Sequence, residues 1–153
     1  MSLIGGVFSF LIFNLPPAKI YMGNAGSHLL GFVLAAIALM ISYAPMDRKI
    51  ALLSPLLILG LPIFDTAFLI LMRIRKEKSI FKKRNDHLVL RLIKKGYSKQ
   101  KALFFMLMLA VIFVLSGILI TRTANLLGLI IVGAIAALSL AITANMSKVA
   151  IDG

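Results

Sequence analysis

The sequence has no cysteine. Thiolate nucleophiles and thiolate metal ligands are therefore excluded, and the redox compartment leaves no trace in the chain. Charge is also scarce. Only 14% of the 153 residues are charged, against about 25% in a soluble domain. Acid is scarcest, with five Asp and Glu residues against 17 Lys and Arg. Regular alternation of apolar and polar residues over ~10-residue segments is missing, which argues against a membrane β-barrel. Tandem repeats and low-complexity linkers are missing too, so a single domain over residues 1–153 is the simplest expectation.

What remains is apolar: 61% of the residues are hydrophobic. Leu29–Met46, Leu103–Ile120 and Ala124–Ser147 are uncharged runs, and Ile50–Met72 carries one charge, Asp65. Each approaches the ~20 residues a helix needs to cross a bilayer. Met1–Phe13 is apolar but short. Its glycines and lack of a leading charge do not fit a signal peptide. It reads as the end of a helix that begins upstream, so a missing N-terminal portion is expected. The predicted fold is all-α: a polytopic transmembrane helix bundle. It has four full spans, a truncated N-terminal helix and a short interfacial helix in a basic loop.

That loop sets the sidedness. Twelve of the basic residues lie between Arg73 and Lys101, opposed there only by Glu77 and Asp86. Short loops rich in Lys and Arg stay cytoplasmic. Counting outward from the loop puts Pro45–Lys49 outside and Asn14–Ser27 on the cytoplasmic side. Arg48 and Lys49 weakly oppose this count. The expected location is the inner or plasma membrane, multi-pass, with the polar segments on the cytoplasmic face.

The segment PPAKIYMGNAGSHLLGF, Pro16–Phe32, interrupts the apolar pattern. Pro16-Pro17 should end the preceding helix. Gly23 and Gly26 permit positive φ or close approach of a ligand. Ser27 is a good N-cap for the next helix, whose free amides would favour a phosphate. An ordinary loop and cap explains the same residues. Asp65 is an acid in an apolar helix, about 12 Å before Arg73 along the axis. Such residues usually face a polar interior or a cavity, although a structural partner for a helix end is the plain alternative. Pro62 should kink the helix nearby. In the basic loop, Asp86 can cap a short helix and Gly96 can end it. His87, Arg91 and Lys95 then share one face, with Leu88, Val89, Leu92 and Ile93 on the apolar side. The cations could clamp a phosphorylated group, or merely hold acidic lipid. Ser98 should cap the next span. Gly133, Ala137 and Ala141 form a small-residue stripe suited to helix packing.

Three segments in order, FNLPPAKIYMGNAGSHLLGF, LGLPIFDTAFLI and SIFKKRNDHLVLRLIKKGYS, resemble the polyprenyl-phosphate N-acetylhexosamine-1-phosphate transferases. The resemblance covers about Ile12–Lys101 and corresponds to the C-terminal half of that family. It implies a membrane enzyme that transfers a sugar 1-phosphate from a UDP-N-acetylhexosamine to polyprenyl phosphate and releases UMP. It also implies Mg2+, or Mn2+ in its place, and no nucleic-acid partner. Asp65 and His87 are the catalytic residues it implies. Lys19, Gly23, Gly26, Ser27 and Arg91 would hold substrate phosphate, and Asn24 would stand at a metal-ligand position. The departures are specific. Asn24 replaces an Asp, so a charge interaction of order 4 kcal/mol at ~4 Å is lost. Of a His-x-His-His cluster only His87 remains, followed by Leu88-Val89-Leu90. The family's paired upstream aspartates have no counterpart among the five acids. A non-catalytic membrane interaction protein or inactive remnant, and a small transporter or channel subunit with Asp65 in its pathway, are the competing readings.

Overall fold

The computed structural model describes residues 2–15, 17–40, 49–75 and 87–147. All regular structure among them is helical. The chain falls into two compact units, residues 1–42 and 43–153.

The first unit contains α1 (Ser2–Asn14) and α2 (Gly23–Met40). Helix α1 stops just before the proline pair. The turn after it is tied by Asn14 Nδ2 donating to the Ile20 carbonyl at 2.9 Å and by the Lys19 amide donating to Phe13 O at 2.9 Å. Helix α2 begins five residues earlier than the Ser27 cap predicts. Gly23 takes φ +66°, open to glycine at little cost, and starts the helix. Ser27 lies inside the first turns, where its hydroxyl donates to Asn24 O at 3.0 Å.

The second unit opens with a 3₁₀ turn, Lys49–Leu53, which runs into α3 (Ser54–Ile58) and then α4 (Gly60–Arg75). The expected single span over Ile50–Met72 is therefore broken: the two arms meet at 74°. Pro62 explains the break, because it cannot donate to the Ile58 carbonyl and its ring crowds that group. The chain continues through α5 (Leu88–Lys94), α6 (Lys99–Arg122) and α7 (Asn125–Ser147). Helices α6 and α7 are each long and apolar enough to cross a membrane, and the bent α3–α4 pair adds a third crossing if it forms one span. The protein is a membrane protein. The expected count of four full spans is thus reduced among the described residues. Helix α2 is one of the shorter apolar helices, and residues 41–48, which would complete its run, lie outside them.

Helix α6 is the hub, packing on the 3₁₀ turn, α3, α4, α5 and α7. Its contacts rest on small residues, as expected where lipid removes most of the hydrophobic drive between helices. A methyl group on Gly117 would lie 2.7 Å from Ile58 Cγ1 and 3.0 Å from both Ile58 N and Ser54 O. One on Gly60 would overlap the Phe113 ring. Phe113 in turn stacks on Phe64, with centroids 6.3 Å apart. The stripe of Gly133, Ala137 and Ala141 is not the packed face of α7. These residues are exposed, and the buried positions are Gly128, Ile135, Thr143 and Met146.

Candidate functional site

Asp65 is the one carboxylate among the described residues. It sits in α4, one residue before Thr66, whose hydroxyl satisfies the Pro62 carbonyl at 2.9 Å. Both Asp65 oxygens are used. Oδ2 lies 2.8 Å from His87 Nδ1, and Oδ1 accepts from the Leu88 amide at 3.0 Å. The carboxylate therefore caps α5 from another helix. His87 is the N-cap residue by backbone geometry, with φ −60° and ψ 154°, but its own side chain caps nothing. Asp86, the cap expected from the sequence, lies outside the described residues.

This arrangement fixes the imidazole. A carboxylate can only accept, so Nδ1 carries the hydrogen and Nε2 is the free basic atom of the neutral ring. The His87 side chain is 53% exposed, against 22% for Asp65. The acid is sheltered and orients the ring, while the ring presents its other nitrogen outward. Such a pair can take or give a proton, or hold a phosphate oxygen. The same bonds also stitch α4 to α5, so the functional and structural roles are carried by one set of atoms.

Arg91 does something other than the predicted clamp. It is 1% exposed. Its Nη1 donates to the Met146 carbonyl at 3.1 Å, in the last turn of α7, and its guanidinium lies 5.2 Å from the centre of the Phe68 ring. Both contacts suit the charge: the helix end is electronegative, and the ring face attracts a cation. Helix α5 buries Leu88, Arg91 and Leu92 together against α4, α6 and α7. It is a packed helix, not one lying alone in the interface plane. Lys95 is separated from Arg91 in environment: it is exposed, and its Nζ donates to Asn145 Oδ1 at 2.9 Å. Gly96 ends α5 as expected. At φ +100° it lets the Gly96 and Tyr97 amides reach Ile93 O at 3.0 Å and Leu92 O at 3.1 Å, a Schellman closure. Ser98 then caps α6, its hydroxyl accepting from the Lys101 amide at 3.3 Å.

In the first unit Lys19, Gly23, Asn24 and Ser27 are exposed, and Gly26 is half-buried under the Met22 side chain. Among the described residues no three metal-ligating side chains come together. Mg2+ demands near-octahedral oxygen coordination and is commonly held by one or two carboxylates plus substrate phosphates. Asp65 uses an oxygen each on His87 and the Leu88 amide, and Asn24 offers one neutral oxygen. Sequence reasoning missed three partners: the Leu88 amide, Asn145 and the Met146 carbonyl. Only Asn145, a polar residue near the end of an apolar helix, carried any signal.

A model of the family described as glycosyl transferase family 4 matches residues 1–42. Curated relatives extend the likeness along the chain. A probable undecaprenyl-phosphate N-acetylglucosaminyl 1-phosphate transferase of Bacillus subtilis is 32% identical over 132 residues, covering 86% of this chain and 37% of the relative. The chain is similar to glycosyl transferase family 4 over residues 1–42. A decaprenyl-phosphate N-acetylglucosaminephosphotransferase of Mycobacterium leprae is 36% identical over 110 residues, covering 65% of this chain and 27% of the relative. A phospho-N-acetylmuramoyl-pentapeptide-transferase of Lactobacillus helveticus is 55% identical over 42 residues, covering 28% of this chain and 13% of the relative. The chain thus spans little more than a third of the length of the Bacillus subtilis relative. No solved structure matches it.

Proposed function

We propose that this chain supplies part of a membrane phosphoglycosyltransferase. The whole enzyme would move N-acetylhexosamine 1-phosphate from its UDP-sugar to polyprenyl phosphate on the cytoplasmic face of the plasma membrane. The observation that carries the proposal is the Asp65–His87 pair, joined at 2.8 Å across 22 residues of sequence in a relative of such transferases. Neither of the competing readings has support from the relatives.

The chemistry balances simply. An oxygen of the lipid phosphate attacks the phosphorus that bears the sugar. The bond from that phosphorus to the UMP oxygen breaks, and UMP leaves. Any proton on the attacking phosphate passes to His87 Nε2, and Asp65 stabilises the resulting imidazolium. Mg2+ remains part of the proposal only as a cation brought on the diphosphate, where it would neutralise charge. Asp65, the one carboxylate among the described residues, serves the histidine.

Membranes containing the whole protein, supplied with UDP-N-acetylglucosamine and undecaprenyl phosphate, should release UMP and form a lipid-linked sugar. His87→Gln keeps a polar side chain but removes the base, and should lower kcat by about 10²–10⁴-fold. Full turnover in that variant would defeat the assignment.

A further inference from the structure

Helices α5, α6 and α7 surround a cavity of about 230 Å³ at the end of α5 opposite His87. Phe105, Ile142 and the buried Met146 supply apolar wall, and the polar lining is Lys95, Tyr97 and Asn145. The polar residues are exposed and mark the mouth. Asn145 Oδ1 fixes the Lys95 ammonium at 2.9 Å but brings no charge to neutralise it. An ammonium has three donors, so two more are available to an acceptor. Among the described residues no carboxylate lines the cavity, and Lys94, Lys99 and Lys101, all exposed, surround it in sequence.

The depth of the cavity follows from its helices. Helix α6 starts at Lys99 and α7 ends at Ser147, and both are long enough to cross the bilayer. Lys95 and Asn145 therefore stand where the crossing helices leave the hydrocarbon. Tyrosine suits that level, and lysine can extend its head toward phosphate there. Phe105 lies six residues into α6, about 9 Å deeper. The cavity is smaller than the ~300 Å³ at which pockets for whole drug-sized ligands begin. It offers room for a head group and the first carbons of a chain.

We infer that this cavity holds an anionic glycerophospholipid of the surrounding bilayer, its phosphate on Lys95 and Tyr97 and the start of an acyl chain along Phe105 and Ile142. Charge complementarity selects the occupant: a cation held at the mouth, an apolar wall behind it, and no acid among the described lining residues to repel a phosphate. Basic pockets between membrane helices bind anionic head groups by this logic. The inference does not rest on the proposed transferase activity, because neither Asp65 nor His87 lines the cavity.

The chain has no tryptophan, so Tyr97→Trp places a single fluorophore at the mouth. In nanodiscs, brominated phosphatidylglycerol should quench it more than brominated phosphatidylcholine at the same mole fraction. Adding Lys95→Gln should cut that preference about fivefold, the factor one lysine's attraction to an anionic surface supplies. Lys95→Arg should retain it, and Arg75→Gln, a cation outside the cavity, should leave it unchanged. Equal quenching by the two lipids would overturn the inference. So would equal losses from Lys95→Gln and Arg75→Gln, which would reduce the effect to general surface charge. Displacement by millimolar inorganic phosphate would show an anion site without a lipid and would overturn it as well.

Discussion

Asp65 and Arg91 are both charged residues in an apolar setting, and each is held by partners far away in sequence. Asp65 spends one oxygen on His87 and the other on the Leu88 amide. These tasks separate by substitution. Asp65→Asn keeps an acceptor for the amide but removes the negative charge from the histidine. It should retain most of the stability and lose turnover. Asp65→Ala removes both and should also lower stability by about 1–2 kcal/mol, the usual cost of a lost helix cap. Unfolding in mixed micelles beside UMP release distinguishes the two; equal stability of both variants would mean that the cap contributes nothing. Arg91 poses a sharper contrast. As a buried tie to the end of α7, its replacement by Ala should destabilise the protein by about 1.5–3 kcal/mol, the range for a hydrogen bond to a charged group. A substrate clamp would instead raise KM for the nucleotide sugar at unchanged stability, and that result would reject the tie.

Local signals in the sequence located the end of α5 and the start of α6 well and the partners of α5 poorly. Gly96 and Ser98 act within their own turns, through backbone conformation and a hydroxyl three residues from its amide, so both were legible. The cap on Leu88 comes from 23 residues upstream, which no local spacing reveals. The spacing of His87, Arg91 and Lys95 defined one helix face, but helical periodicity cannot say which part of that face a neighbour covers. Packing decided it, burying Arg91 and leaving His87 and Lys95 exposed. The resemblance implied Asp65 and His87 as catalytic residues one by one, but their pairing was not legible, since nothing in local pattern brings α4 to α5. Close approach is likewise a property of pairs of elements. At Gly117 an added methyl meets the α3 backbone, which cannot rotate away. Gly117→Ala should cost about 1–3 kcal/mol, as overpacking does. Gly133, with open space around it, should accept Ala with no loss of stability. Similar midpoints of unfolding for the two variants would contradict the α3–α6 contact.

At the scale of the molecule, charge distribution is the strongest guide to orientation. The 12 cations from Arg73 to Lys101 immediately precede or open α6, and positive loops of this length stay in the cytoplasm. Helix α6 has 24 residues, or about 36 Å at 1.5 Å per residue, enough for a hydrocarbon core of ~30 Å. Its two ends must then lie on opposite sides. Gln100 is exposed in its first turn, and Ala124 is exposed just beyond its last. The absence of native cysteine makes each a clean reporter. In intact cells an impermeant maleimide should label Ala124→Cys and spare Gln100→Cys, which should react only after permeabilisation. Reversed labelling would invert the topology and remove the cytoplasmic nucleotide sugar from reach of His87. Labelling of both from one side would show that α6 does not cross, however apolar its sequence. The expected pattern would put His87, Lys95 and the start of α6 together at the cytoplasmic surface, where the proposed transfer would bring soluble UDP-sugar and membrane-bound polyprenyl phosphate together.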